Sequence, residues 1–233
     1  MSADAGILDI DAVELLSVGS ATLYEASKND LYLDAAFRPS WDGAQIVGRA
    51  LPVAARLGDN LALHWGVADA EPGDVLMVDA GGGEFGYWGE VMAVAAQARG
   101  IAGLVIDGGV RDTRELAALG FPAFSTSISI RGTEKQWPGT VGRHVTLRGR
   151  VVARGDLVVA DRDGVCVIPA ADVSRVIEAA RERVAKEDTY MERLRNGELT
   201  VDVYGFRALG SPLRDSDQPR DYQIGQSRTE GGL

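Results

Sequence analysis

Two short, wholly apolar runs, Val75-Leu76-Met77-Val78 and Leu104-Val105-Ile106, bracket a stretch of helical composition at 90–99. Apolar runs without polar alternation suit strands that are covered on both faces, the kind joined in parallel by crossover helices. Gly100 follows the helical stretch, where a residue able to turn left-handed closes a helix. The order strand, helix, strand fixes the class as α/β before any motif is considered. A second crossover comes next: a short helix at 113–119 stopped by Gly120, then an extended segment at 121–130. Sheets of this kind bind ligands at the carboxyl ends of their strands. The residues that fall there are the glycine run from Gly81 to Gly86, Glu90, and the pair Arg111-Asp112.

The rest of the chain is consistent with one domain over 1–210 and a polar, Gly/Ser/Asp/Arg-rich tail over 211–233, expected to be mobile. Residues 9–26 read as helical turns capped by Asp9 or Asp11, 45–54 as a strand, and 57–69 as holding a short helix around Leu61-Ala62-Leu63. Segments 145–152, 157–160 and 164–169 read as strands joined by tight turns, and 172–194 as a long helix of alternating charge. A net charge of −10 argues against nucleic acid as a partner, because phosphate binding needs clustered Lys and Arg. No apolar run approaches the ~20 residues that cross a bilayer, so no membrane partner is expected. The acidic N-terminus lacks the basic-then-apolar pattern of a leader, which points to a cytoplasmic protein. Cys166, inside Val165-Cys166-Val167-Ile168, reads as a buried strand residue, and His64 and His144 as structural or surface residues.

Gly81-x-Gly83-x-x-Gly86 matches a dinucleotide fingerprint, with Asp107 ending the next strand, so a nucleotide-dependent oxidoreductase is one reading. Against it, Tyr87-Trp88 stand where close packing favours small residues, and the helix begins after the third glycine. The other reading starts from Glu90 and, twenty residues on, Arg111-Asp112. A helix N-terminus, a guanidinium and two carboxylates at one sheet edge suit a small oxo acid with a hard divalent metal. Each residue also has an ordinary role. Glu90 offsets the helix dipole, Arg111 and Asp112 form a loop ion pair, and Asp112 caps the following helix with Glu115 three residues on.

Two stretches carry a resemblance. One is the glycine run, Trp88-Gly89-Glu90 and Gly103-Leu104-Val105-Ile106-Asp107-Gly108-Gly109-Val110-Arg111-Asp112. The other runs from Arg154-Gly155-Asp156 through Ala160-Asp161-Arg162-Asp163-Gly164 to Ile168-Pro169. Together they resemble the family of the regulator of ribonuclease activity A and the 4-hydroxy-4-methyl-2-oxoglutarate aldolases, over roughly 20–200. The resemblance implies a swivelling β/β/α fold, a homotrimer or homohexamer, and metal-dependent cleavage of a small 2-oxo acid to pyruvate. It implies that Arg111 binds the pyruvyl group, that Asp112 holds the metal, and that the backbone from Gly89 through Glu90 and Val91 to Met92 cradles the carboxylate. It further implies a glutamate from a neighbouring subunit's C-terminal helix, for which Glu187 is the candidate, with Asp188 and Glu192 close by.

On that reading, carbon–carbon cleavage beside a 2-oxo acid needs an electron sink, which a divalent cation supplies. The scarcity of His and Cys favours oxygen-ligated Mg²⁺ or Mn²⁺. Glu90 would act through water, Arg111 would neutralise the growing enolate charge, and Glu187 would assist proton removal. Oxaloacetate decarboxylation passes through the same enolate. A non-catalytic protein that binds an RNA-processing enzyme is the remaining alternative from the same resemblance.

Overall fold

The computed structural model describes residues 12–211. In chain order its strands are β1 (Arg38–Pro39), β2 (Ile46–Ala54), β3 (Asp74–Trp88), β4 (Gly103–Val110), β5 (Ala123–Ile128), β6 (Thr140–Val141), β7 (Val145–Leu147), β8 (Arg150–Val152), β9 (Leu157–Ala160) and β10 (Val165–Ile168). The helices are α1 (Ala12–Val18), α2 (Ser20–Ser27), α3 (Leu61–Asp69), α4 (Glu90–Ala98), α5 (Thr113–Leu119), α6 (Val173–Arg195) and α7 (Thr200–Val203). The backbone forms two compact units, Met1–Ala185 and Lys186–Leu233.

The first unit is built on an eight-stranded sheet in the order β1-β5-β4-β3-β2-β9-β10, with β6 alongside β2, and β7–β8 form a separate hairpin. β2, β3, β4 and β5 run parallel, and β9 and β10 extend the sheet antiparallel. The apolar runs are explained by cover on both sides. Leu51, Val53, Leu76, Val78, Leu104 and Ile106 pack with Leu63 of α3, Ala93 and Ala96 of α4 and Leu116 of α5. Residues of the opposite parity, Val75, Met77 and Val105, pack with Val145, Leu147 and Val152 of the hairpin. A third cluster seats Leu15, Leu23, Val176, Ile177 and Ala180 against Leu157, Val159 and Ile168. The mixed α/β architecture of the swivelling type stands as expected.

In the second unit Tyr204 lies edge-on to Tyr190 and stacks on Phe206. Arg193 pairs with Glu198, and Arg207 with Asp202. Among the described residues no helix is long and apolar enough to cross a membrane.

Among the secondary-structure elements, the sequence reading differs from the structure at the glycine run, at 145–152 and near the N-terminus. The glycine run is strand, not loop: β3 continues through it to Trp88. Its pairing with β4 is interrupted by bulges, so β3 advances from Asp79 to Trp88 while β4 advances only from Asp107 to Val110. Glycine marks bulges and close backbone approach as well as turns, and here those uses prevail. The fingerprint glycines therefore do not make a tight strand-to-helix turn. Segment 145–152 is a hairpin that reverses at Arg148-Gly149, both with positive φ (44° and 90°). The helical region near the N-terminus is broken at Gly19 into α1 and α2. Asp9, Asp11 and the polar stretch 212–233 lie outside the described residues.

Candidate active site

β3 ends at Trp88 and β4 at Val110, neighbours in the parallel sheet and paired there, so Glu90 and Arg111-Asp112 emerge side by side. The Arg111 amide donates to the Trp88 carbonyl (2.8 Å), which ties the two strand ends together. Gly89, extended at φ −158°, precedes α4, and Glu90 is its first residue.

Asp112 does not cap its own helix. Its backbone is left-handed (φ 56°, ψ 39°), and its side chain makes no capping bond to α5. Instead its Oδ2 accepts the Glu90 amide of α4 at 3.0 Å and lies 3.7 Å from Arg111 Nε. The carboxylate thus serves the neighbouring helix, which the spacing along the chain could not reveal. A left-handed non-glycine costs about 1 kcal/mol or more, and Asp tolerates it better than most. Glu115, expected to complete a capping box, pairs with Arg114.

Arg111 and Asp112 have side chains 46% and 39% exposed. Beyond the Nε contact to Asp112, the guanidinium forms no hydrogen bond or ion pair with any described residue, so its planar fork is open to a ligand. Its stem is held by two glycines. A Cβ at Gly86 would lie 3.0 Å from Arg111 Cδ, and one at Gly89 would overlap Asp112 Oδ2 and crowd Arg111 Cγ. The sequence reading valued Gly86 only as part of a fingerprint. Its structural signal is a glycine inside a strand, where a neighbour comes too close for a side chain. Gly89→Ala is expected to destabilise the protein by about 1–3 kcal/mol through overpacking. Urea unfolding checks this, and an unchanged midpoint would refute the overlap.

The first turn of α4 adds backbone donors. The Glu90 amide is taken by Asp112, while the amides of Val91 and Met92 have no carbonyl one turn back within the helix to bond. Val91 is 80% exposed, and Met92 is buried in the core. The helix dipole adds positive potential at this end. Glu90 is exposed and lies close enough to Arg114, together with Glu115, to help raise that guanidinium above its usual range; the bond to Glu115 is the main cause.

Among the described residues no group of three or more His, Cys, Asp or Glu side chains converges to hold a metal. What is present fits a hard cation that keeps most of its own water. Asp112 is a half-exposed carboxylate whose Oδ1 bonds no described residue, and Mg²⁺ is commonly held through one or two carboxylates plus substrate oxygens. Glu187, Asp188 and Glu192 lie on α6 in the second unit. Cys166 is buried on β10, and burial pushes its thiol up to about 12. It is therefore no nucleophile. Burial also lowers His64, with Lys135 contributing.

Comparison with known proteins gives the family of the chain. The profile of the RraA-like family, described as Aldolase/RraA, matches residues 11–167. A protein of Halalkalibacterium halodurans named "Putative 4-hydroxy-4-methyl-2-oxoglutarate aldolase" is 32% identical over 173 residues, 74% of this chain and 82% of that one. The crystal structure of an uncharacterized protein from Pseudomonas syringae pv. tomato superposes with a TM-score of 0.71 at 24% identity, covering 84% of this chain and 95% of that one. The RNA-processing inhibitor RraA from Thermus thermophilis superposes with a TM-score of 0.60 at 26% identity, covering 64% and 92%.

Proposed function

This chain belongs to the RraA-like family, and on that premise we propose that it is a divalent-metal-dependent carbon–carbon lyase. It cleaves a 4-hydroxy-2-oxo acid, of the 4-hydroxy-4-methyl-2-oxoglutarate kind, to pyruvate and a second oxo acid, and it decarboxylates oxaloacetate. The observation that carries this reading is the open guanidinium of Arg111 held beside Asp112 at the N-terminus of α4.

Asp112 would hold Mg²⁺ or Mn²⁺, which when bound would supply an electron sink for carbon–carbon cleavage beside the 2-oxo group. Arg111 presents its fork to the keto oxygen and neutralises the charge that grows there. The Val91 and Met92 amides fix the carboxylate of the 2-oxo acid, with the α4 dipole in support. Gly89 leaves room for that approach, and Glu90 orients water at the helix entrance. Glu187 from a neighbouring subunit receives the hydroxyl proton, which places the sites at the boundaries of a trimer or hexamer.

Pyruvate release from oxaloacetate or a 4-hydroxy-2-oxo acid is expected to vanish with a chelator and to return with Mg²⁺ or Mn²⁺. Full turnover in metal-free buffer would sink the metal dependence. A folded, metal-supplied protein that releases no pyruvate would sink the lyase reading and favour a regulator of an RNA-processing enzyme.

A further inference from the structure

Arg148 stands at the tip of the β7–β8 hairpin with a left-handed backbone (φ 44°), a conformation that Asn or Gly adopts more readily at such a turn. Its side chain has a use that theirs would not. Arg148 Nε donates to Asp107 Oδ1 at 3.1 Å, and Thr126 Oγ1 donates to the same oxygen at 3.2 Å. The Asp107 side chain is 12% exposed, so the carboxylate is largely out of water. Asp34 lies at the edge of ion-pair range, 4.0 Å from Arg148 Nη1. Asp107 belongs to β4, two residues beyond Val105 and on the same hairpin-facing side, and it is the register partner of Asp79 in β3.

That point is the base of the bulged stretch of β3. From here β4 reads Asp107-Gly108-Gly109-Val110 and runs directly into Arg111, while β3 opposite carries glycine at 81, 82, 83 and 86. Gly81 and Gly82 are left-handed (φ 71° and 70°). Gly82 lies against the ion pair: a Cβ there would be 3.6 Å from Asp107 Oδ1 and 3.8 Å from Arg148 Nη2. Glycine backbone gives up the most freedom on ordering, so bonds from outside must set the course of such a stretch. Further along, a Cβ at Gly109 would lie 2.5 Å from the Phe85 carbonyl oxygen, and the Gly86 amide donates to the Arg131 carbonyl at 2.8 Å. Close contact thus runs from the Arg148–Asp107 pair to Gly86 and Gly89, the two glycines that hold the Arg111 stem.

We propose that Arg148 is a positioning residue: its bond to Asp107 pins the bulged glycine stretch, so that Arg111 presents its fork in one orientation. Arg148 acts through Asp107 and the glycines and not by touching substrate. The kinetic consequence rests on the lyase reading, while the ordering of Arg111 does not.

Arg148→Asn suits the left-handed turn and removes the bond to Asp107. It is expected to lower kcat for pyruvate release from oxaloacetate by about tenfold or more and to change KM by less than about threefold, because the α4 amides that take the substrate carboxylate are untouched. Arg148→Lys, which keeps a charge for Asp107, is expected to recover part of the loss. Asp107→Asn is expected to lose about as much as Arg148→Asn. The double variant, which buries no unpaired charge and so guards against a fold that fails, is expected to lose no more than either. A second readout needs no turnover. The Nε–Hε resonance of Arg111 in nitrogen–proton NMR spectra, assigned from its absence in Arg111→Lys, is expected to be one sharp line that broadens or shifts in Arg148→Asn and in the double variant. Wild-type kcat in folded Arg148→Asn protein overturns the proposal. An unmoved Arg111 resonance does the same, as do losses that multiply in the double variant. Wild-type protein that releases no pyruvate, with the Arg111 resonance changed in Arg148→Asn, would keep the positioning role and reject the lyase reading.

Discussion

Arg111→Lys is expected to lower turnover of oxaloacetate or a 4-hydroxy-2-oxo acid by about a hundredfold or more, the scale of losing an electrostatic donor to the transition state. Lysine keeps the charge but loses the planar fork, which reaches two oxygens at once from a fixed plane. The stem matters as well, because it threads past Gly86 and Gly89 and is set by that packing. A lysine stem fits the same channel but ends in a point charge that rotates freely. The fold is expected to be unaffected, since Arg111 is nearly half exposed and its ion pair with Asp112 is long, at 3.7 Å. Circular dichroism and urea unfolding establish the folded state, and steady-state kinetics give the loss. Near-normal turnover in a folded Arg111→Lys protein would reduce Arg111 to a loop ion-pair residue.

The second large effect concerns Asp112 and Glu187 together. Asp112→Ala is expected to abolish turnover, because it removes the oxygen donor proposed for the cation and also the acceptor of the Glu90 amide. Glu187→Ala is expected to be equally inactive if Glu187 completes a neighbour's site. Mixed and allowed to exchange subunits, the two inactive proteins are then expected to regain activity, because some subunit boundaries carry both intact residues. A mixture that exchanges subunits and regains nothing, from two folded and inactive parents, would refute the shared site. A fully active monomer by light scattering would do the same. Full activity of Glu187→Ala alone would pass the role to Asp188 or Glu192, one residue or somewhat more than one turn further along α6.

The legible part of this site and the illegible part differ in kind. Val75-Leu76-Met77-Val78 and Leu104-Val105-Ile106 announce strands covered on both faces, and 90–99 announces the crossover between them. That order alone brings Glu90 and Arg111-Asp112 to one edge of the sheet. The physics is local: an unbroken apolar run must be buried on both sides, and parallel neighbours deliver their carboxyl ends to the same edge. The glycine run misled because glycine signals a turn and a bulge by the same freedom, and only the pairing of β3 with β4 distinguishes them. Asp112 followed its local pattern in sequence, an acid before a helix, yet in the structure it bonds across to the amide of Glu90. The meeting of the segments after β2 and β5 had no local signature, because it is made by the Gly58–Glu134 and Asn60–Glu134 backbone bonds and by Asp59 accepting the Gln136 and Trp137 amides, between positions far apart in the chain.

The sequence by itself thus determined the α/β core and which residues reach the sheet edge, since burial and periodicity act within a few residues. Tertiary structure alone decided which partner Asp112 bonds and why residues 86 and 89 are glycine. Those outcomes depend on register and close approach between segments far apart in the chain.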